Sequence, residues 1–381
     1  MENKKKKSDI TDYMKWRGDI PFSASPFNEI DALIFCQLSY ADISRIAGSG
    51  FSGGKRLSEI AAAFETAPDA DERRDLGVLL DPRTSDLLVD AGKSARFGGA
   101  VVRAFVDEYD EKRGEQFSAV TFSLDGEGTF VAFRGTDDTI VGWKEDFNLA
   151  FMESVPAQDS ALRYLSRAMA ETEGTVRVGG HSKGGNLAIY SAAHLPEMEK
   201  ARIAEIFNFD GPGFRESDLA SEEFASIKEK IRSFFPQFSI VGMLFHHFGG
   251  YSVVESDEKF IMQHNPFSWA AGPHSFVRKN SLDEGSEVFF RGFNRWFAAL
   301  SENQRKQFVE TLFGVIESSG AKTNTELSKD AIKNAATIVR SFSALDPEIR
   351  DESARLIRAF VKIISSEAGT SILQLLPPIR T

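Results

Sequence analysis

Apolar residues recur at helical spacing through the first hundred positions, with Ile30, Leu33, Ile34 and Leu38 in one stripe and Leu57, Ile60, Ala61 and Phe64 in another. The stretch from Asp12 to about Phe105 therefore reads as a helical lead-in. The period then changes to two. Residues 119–124, the turn Asp125-Gly126 and residues 129–133 spell strand, turn, strand, which predicts a hairpin. An amphipathic helix over 161–170 follows, then a short strand over 176–179, a helix of small and apolar residues over 186–194, and a strand over 204–209. This alternation of strand and helix predicts an α/β fold with a mostly parallel central sheet. The run Lys259-Phe260-Ile261-Met262 predicts a further strand. Beyond Lys279 the pattern is helical only: Ser301 and Gln304 form a capping box ahead of Phe308, Leu312, Phe313 and Ile316, and Asp346-Pro347 opens a helix carrying Ala354, Ile357, Val361 and Ile364. The chain divides accordingly into a lead-in over 1–110, a core over 111–279 and a helical subdomain over 280–381.

Composition narrows the function classes. A chain of 381 residues that is 42% hydrophobic can bury one sizeable core plus an appendage. Its net charge of -11 argues against a nucleic-acid footprint, which needs a basic face. The single cysteine, Cys36, excludes an internal disulfide and a thiolate metal cluster, and it reads as a packed side chain. Lys4 to Lys7 start like a signal peptide, but no apolar stretch follows, so a cytoplasmic protein is expected. The lysine run could make transient contact with an anionic membrane surface. No run of about 18 apolar residues predicts a membrane span. The glycine-rich stretch 48–56 lacks the residues of a phosphate loop, with Ser49 and Arg56 at key positions, and reads as a plain loop.

Chemistry concentrates around Gly180-His181-Ser182-Lys183-Gly184, a G-x-S-x-G pentapeptide between a predicted strand and a predicted helix. That is the setting of a nucleophile elbow, where a strained turn exposes the serine and glycines avoid clashes between strand and helix. Ser182 is the candidate nucleophile, and the backbone N–H of Lys183 would face a developing oxyanion. Serine needs a base and an acid to orient it. His194, His246, His247, His264 and His274 follow Ser182; His194 ends the elbow helix, whereas His264 lies in a loop after the run 259–262 and is the preferred base. Asp210 closes a strand and precedes Gly211-Pro212-Gly213, at the carboxyl end of the sheet where ligands bind; Asp218 and Asp257 compete less well. The loop Phe133-Arg134-Gly135-Thr136 fits a second oxyanion donor at Thr136, by its N–H and its hydroxyl.

These segments together resemble the class 3 lipases and, more closely, the bacterial Mbeg-like family of α/β-hydrolases, a name that carries no reaction with it. The resemblance rests on Asp12-Tyr13, Trp16-Arg17-Gly18-Asp19, Phe133-Arg134-Gly135-Thr136-Asp137, Gly142-Trp143-Lys144-Glu145-Asp146, the elbow through Ala188, Asp210-Gly211-Pro212-Gly213, and Gln263-His264 with Trp269. It implies an α/β-hydrolase, lipase-like fold, Thr136 as the oxyanion residue, and a lid over 137–147 centred on Trp143. Class 3 lipases place their acid in an Asp-x-Val segment; here the corresponding place reads Ser239-Ile240-Val241, and Asp210 is the replacement.

The function expected is a serine hydrolase cleaving a small-molecule or lipid carboxylic ester through Ser182, Asp210 and His264. The chain's 33 phenylalanines are compatible with an apolar acyl pocket. No metal-ligand spacing is present and the acyl transfer needs no cofactor. Two alternatives stand: an acyltransferase or thioesterase using the same residues, and a hydrolase-fold binding protein without turnover, suggested by the serine at 239.

Overall fold

The computed structural model describes residues 7–149, 152, 154–329 and 331–368. Among the described residues, nine strands form one sheet in simple sequence order: β1 (Lys55–Arg56), β2 (Val101–Asp110), β3 (Glu115–Leu124), β4 (Gly128–Phe133), β5 (Val176–His181), β6 (Ile203–Phe209), β7 (Ile231–Pro236), β8 (Ser252–Val254) and β9 (Arg278–Lys279). The run β4 to β8 is parallel, and the pairings outside it are antiparallel. The sheet is thus mixed and not mostly parallel, because the hairpin and the two edge strands add antiparallel ladders to a parallel centre.

Helices cover both faces. Along β4, Phe130 and Ala132 face a core that includes the helix Glu29–Leu38, whereas Val131 and Phe133 face a core that includes the helices Pro156–Glu171 and Lys183–Ala193. The alternation follows from the period of two of an extended strand, and burial on both faces explains why β4 reads as a continuous apolar run.

Two further expectations change. The strand β2 falls inside the stretch read as helical; its pairing with β3 shifts register between Arg103 and Val106, so Ala104 and Phe105 are both buried and the period-two signal breaks. Residues 259–262 form no strand: Phe260–His264 is a single 3-10 turn. The hairpin β3–β4, the Ser301–Gln304 capping box and a helix starting at Pro347 all appear where the pattern puts them. The side chains of Ile357, Val361 and Ile364 lie outside the described residues. Among the described residues no helix is long and apolar enough to cross a membrane.

A buried ion pair ties the N-terminal helices together. Asp31 accepts from Arg96 Nε at 2.7 Å and from its Nη2 at 2.5 Å, with both side chains fully buried. The guanidinium also donates to the carbonyls of Ile20, Ser25 and Pro26, and Tyr13 donates its hydroxyl to Asp31 at 2.9 Å. Removing one partner strands the other charge in the core, which costs about 3–5 kcal/mol. Arg96→Met should therefore lower the unfolding free energy obtained from urea denaturation by an amount of that order, and a midpoint equal to the parent's would refute the role given to this pair.

Candidate active site

The carboxyl ends of three adjacent parallel strands meet at one place. Phe133 of β4 pairs with Gly180 of β5, and His181 of β5 pairs with Phe209 of β6, so the segments that follow these residues emerge side by side. They carry Thr136, Ser182 and Asp210.

Ser182 sits between β5 and the helix Lys183–Ala193 with φ 57° and ψ -135°, a left-handed conformation unusual for a side-chain-bearing residue. Its N–H is held by the Phe209 carbonyl at 2.9 Å, and its own carbonyl accepts from Gly185 N–H at 2.9 Å. The turn is this tight because strand and helix nearly touch. A Cβ on Gly180 would lie 2.1 Å from the Gly184 carbonyl carbon, and one on Gly184 would lie 2.1 Å from the Phe133 carbonyl oxygen. Only glycine fits at either position.

Asp210, one strand over, also has a positive φ of 52° and is fully buried. Its Oδ2 meets His264 Nδ1 at 2.6 Å. Its Oδ1 accepts from Ser239 Oγ at 2.5 Å, and Ser239 is itself fixed by Ser286, whose Oγ accepts the Ser239 N–H at 2.7 Å and donates to the Ser239 carbonyl at 2.9 Å. The turn behind Asp210 is pinned by Asn186, which donates to the carbonyls of Pro212 and Gly213 at 3.1 and 3.0 Å. The competing acids lie in other bonds: Asp218 pairs with Arg215, and Asp257 accepts the Lys7 backbone N–H.

His264 is held from a second side by His181. A carbonyl can only accept, so the contact of His181 Nε2 with the His264 carbonyl at 2.8 Å puts the proton on Nε2, leaving Nδ1 as an acceptor 3.2 Å from the Tyr40 hydroxyl. Burial, and beside it the His264 ring at 4.5 Å, hold the His181 imidazole well below the usual histidine range, which keeps it neutral. Tyr40 also accepts the Gly135 N–H at 3.0 Å, so one hydroxyl joins the elbow strand to the loop bearing Thr136. Of the other histidines, His194 Nδ1 meets the Tyr190 carbonyl, and His247 packs edge-on against Phe235 with burial pushing its pKa down to about 4.

Thr136 does not present a free hydroxyl. Its Oγ1 donates to Asp146 Oδ2 at 2.5 Å, which leaves the backbone N–H as the available donor. Asp146 belongs to the helix Ile140–Asn148, as do Trp143, which is exposed, and Glu145, which is fully buried. Glu145 Oε2 accepts from Lys183 Nζ at 2.8 Å, and the same ammonium donates to the Gln116 carbonyl and side chain at 2.7 and 2.8 Å. The residue after the nucleophile candidate thus sends its side chain into the core and anchors the helix expected as a lid. Among the described residues no three His, Cys, Asp or Glu side chains gather as a metal site.

A sequence model of the Mbeg1-like family matches residues 91–314, more than half of the chain. The chain belongs to the Mbeg1-like family. The Mbeg1-like region includes Thr136, Ser182, Asp210, Ser239 and His264, whereas Tyr40 and Asp31 lie outside it. No curated protein matches the chain.

Ser239, Asp146 and Tyr40 are the contributors that the sequence did not single out for these roles. Ser239 is legible only as the residue standing where an aspartate is expected; Asp146 and Tyr40 carry no local signal. Ser239→Ala leaves a buried carboxylate oxygen short of a donor, at a cost of about 1–3 kcal/mol; chemical denaturation should show that loss, and an unchanged midpoint would count against the bond. Burial raises the Asp146 pKa from 3.8 to about 6. The folded state then binds the proton more tightly than the unfolded one, so this carboxylate lowers stability as pH rises from about 4 to about 6. Asp146→Asn, which keeps an acceptor for Thr136, should gain stability relative to the parent across that window, as measured by melting temperature against pH.

Proposed function

We propose that this protein is a serine hydrolase of carboxylic esters built on an α/β-hydrolase fold. The observation that carries the reading is the bond between buried Asp210 and His264 Nδ1 at 2.6 Å, beside a serine held at φ 57° on the neighbouring strand end. Asp210 fixes the imidazole so that Nε2 is the nitrogen left to take a proton. Ser182 Oγ attacks the acyl carbon as its proton passes to His264 Nε2. The resulting oxyanion is stabilised by the backbone N–H groups of Lys183 and Thr136. Collapse of the tetrahedral intermediate returns that proton to the departing alcohol and leaves an acyl-enzyme on Ser182. Water, deprotonated by His264, then attacks the acyl carbon, and the acid leaves as Ser182 regains its proton.

The reading as a binding protein without turnover rests on the serine at 239. In the structure that serine donates to Asp210, so it supports a carboxylate one strand away and the motive for the alternative weakens. The acid at 210 and the serine at 239 together occupy the role that one aspartate would otherwise fill.

Ser182→Ala should abolish fluorophosphonate labelling and nitrophenyl ester cleavage while leaving the thermal melt unchanged. Asp210→Asn should lower kcat by roughly 10⁴, the scale seen when a triad acid loses its charge. A folded parent that neither labels nor cleaves any such ester sinks the proposal.

A further inference from the structure

His264 is held by its main chain as well as by its ring. Asp210 meets the ring at Nδ1, whereas His181 reaches the backbone, its Nε2 donating to the His264 carbonyl at 2.8 Å. On either side of it, the Gln263 side chain accepts the Phe238 N–H at 2.8 Å and Asn265 donates to Asp81 at 2.7 Å. The other ring nitrogen of His181 accepts from the Tyr40 hydroxyl at 3.2 Å, and the Tyr40 oxygen accepts the Gly135 N–H at 3.0 Å. One chain of hydrogen bonds thus runs from Gly135 through Tyr40 and His181 to His264, and both side chains in it are buried.

The two ends fix its direction. Gly135 contributes a backbone N–H, which only donates, and His264 contributes a carbonyl, which only accepts. His181, kept neutral by burial, has one ring proton, and the His264 carbonyl receives it. The Tyr40 proton is then directed at His181, whose carbonyl lies 3.3 Å away and whose Nδ1 lies 3.2 Å away. No member can reverse its role without leaving a buried polar group unpaired.

The same two ends adjoin the groups that the proposed reaction has to hold in fixed relation. Gly135 precedes Thr136, whose N–H is the proposed oxyanion donor, and His264 is the proposed base. A donor that follows a glycine needs a tether, because glycine leaves the backbone its widest freedom. Bulk cannot supply it: a Cβ on Gly135 would lie 2.3 Å from the Tyr40 hydroxyl, 2.6 Å from the His181 carbonyl and 3.0 Å from Ser182 Cβ. The tyrosine hydroxyl supplies it instead, and His181 carries the connection past Ser182, its neighbour in the chain, to the base.

We infer that Tyr40 and His181 are positioning residues that hold the Thr136 loop and His264 in register with Ser182. Neither takes a step in the proposed reaction, and each acts through its neighbours, so the inference rests on the ester-hydrolase reading. Tyr40 lies before the region 91–314 that matches the Mbeg1-like family, which makes the N-terminal segment a contributor to the site. Groups that place a donor and a base act on the barrier and not on ground-state binding, so their loss falls on kcat.

Kinetics with a nitrophenyl ester and the rate of fluorophosphonate labelling, both on the full chain, test it. Tyr40→Phe removes only the hydroxyl and should lower kcat by about ten- to a hundred-fold, with KM within about two-fold of the parent's. His181→Gln, whose amide nitrogen reaches about as far as Nε2 and can still donate to the His264 carbonyl, should keep a kcat about ten-fold above that of His181→Asn, whose amide stops short of it. Tyr40→Phe combined with His181→Asn should lose no more than the worse of the two alone, because each breaks the same chain. Circular dichroism checks that each variant is folded, and if Tyr40→Phe is not, the two His181 variants decide. Tyr40→Phe at the parent's rate, a loss confined to KM, His181→Asn as active as His181→Gln, or a double variant whose losses multiply overturns the inference. A parent that does not label overturns the hydrolase reading and this inference with it, whereas a parent that labels no faster than Tyr40→Phe overturns this inference alone.

Discussion

The near contact between β5 and the helix behind it governs the geometry of the whole site. An added methyl group on Gly180 would fall 2.1 Å from the Gly184 backbone and one on Gly184 would fall 2.1 Å from the Phe133 carbonyl oxygen of β4, so glycine at 180 lets β5 run directly into the helix and glycine at 184 lets that helix sit against β4. That approach forces the intervening residue into a left-handed conformation, and Ser182 accepts φ 57°. The same packing extends sideways: a Cβ on Gly135 would meet the Tyr40 hydroxyl at 2.3 Å and the His181 carbonyl at 2.6 Å. Loop, elbow and following strand are thereby held in one cluster. A larger residue anywhere in it would separate the N–H of Thr136 from that of Lys183.

A second constraint is electrostatic. The Lys183 ammonium is fully buried, and an unpaired charge there would be prohibitive, so the protein surrounds it with Glu145 and two oxygens of Gln116. Glu145 in turn accepts the backbone N–H groups of Gln116 and Ala157. One cation on the elbow helix therefore orders β3, the helix Ile140–Asn148 and the start of the helix Pro156–Glu171. Such a pair contributes little net stability by itself, but breaking it strands a charge, which gives the arrangement a steep penalty for misplacement. The expected lid position is a helix whose inner face is fixed by Glu145 and Asp146 and whose outer face exposes Trp143.

The parts of this architecture that the sequence reveals are those whose physics is local. The elbow is legible because glycine spacing and a strand-to-helix change coincide within ten residues. Asp210 is legible because it ends an apolar strand ahead of a glycine turn. His264 is legible as a residue, yet its element is not, since three consecutive apolar residues look the same in a buried strand and in an exposed turn. β2 is hidden by its bulge, which buries neighbours that a regular strand would place on opposite faces. Tyr40 lies 95 residues before the Gly135 it contacts, and Asp31 lies 65 before Arg96, so neither bond has any signature at short range.

Ser239 shows how a departure from a pattern can be read in the wrong direction. A serine where an aspartate is expected suggests a lost acid when the position is considered alone. Its neighbours give it another meaning. A Cβ on Gly242 would lie 2.3 Å from Asp210 Oδ1 and 2.7 Å from Ser239 Oγ, so the loop after β7 presses against the carboxylate and leaves room there for a hydroxyl. A second carboxylate at 239 would confront Asp210 at hydrogen-bond distance, and two like charges so close in a buried site cannot both stay ionised. The acid on β6 and the serine beyond β7 are thus complementary choices: with Asp210 in place, a neutral donor at 239 allows it to remain an undivided partner for His264. Ser286, at the start of the C-terminal helices, holds that donor through its backbone, so the helical region is joined to the site by hydrogen bonds as well as by packing.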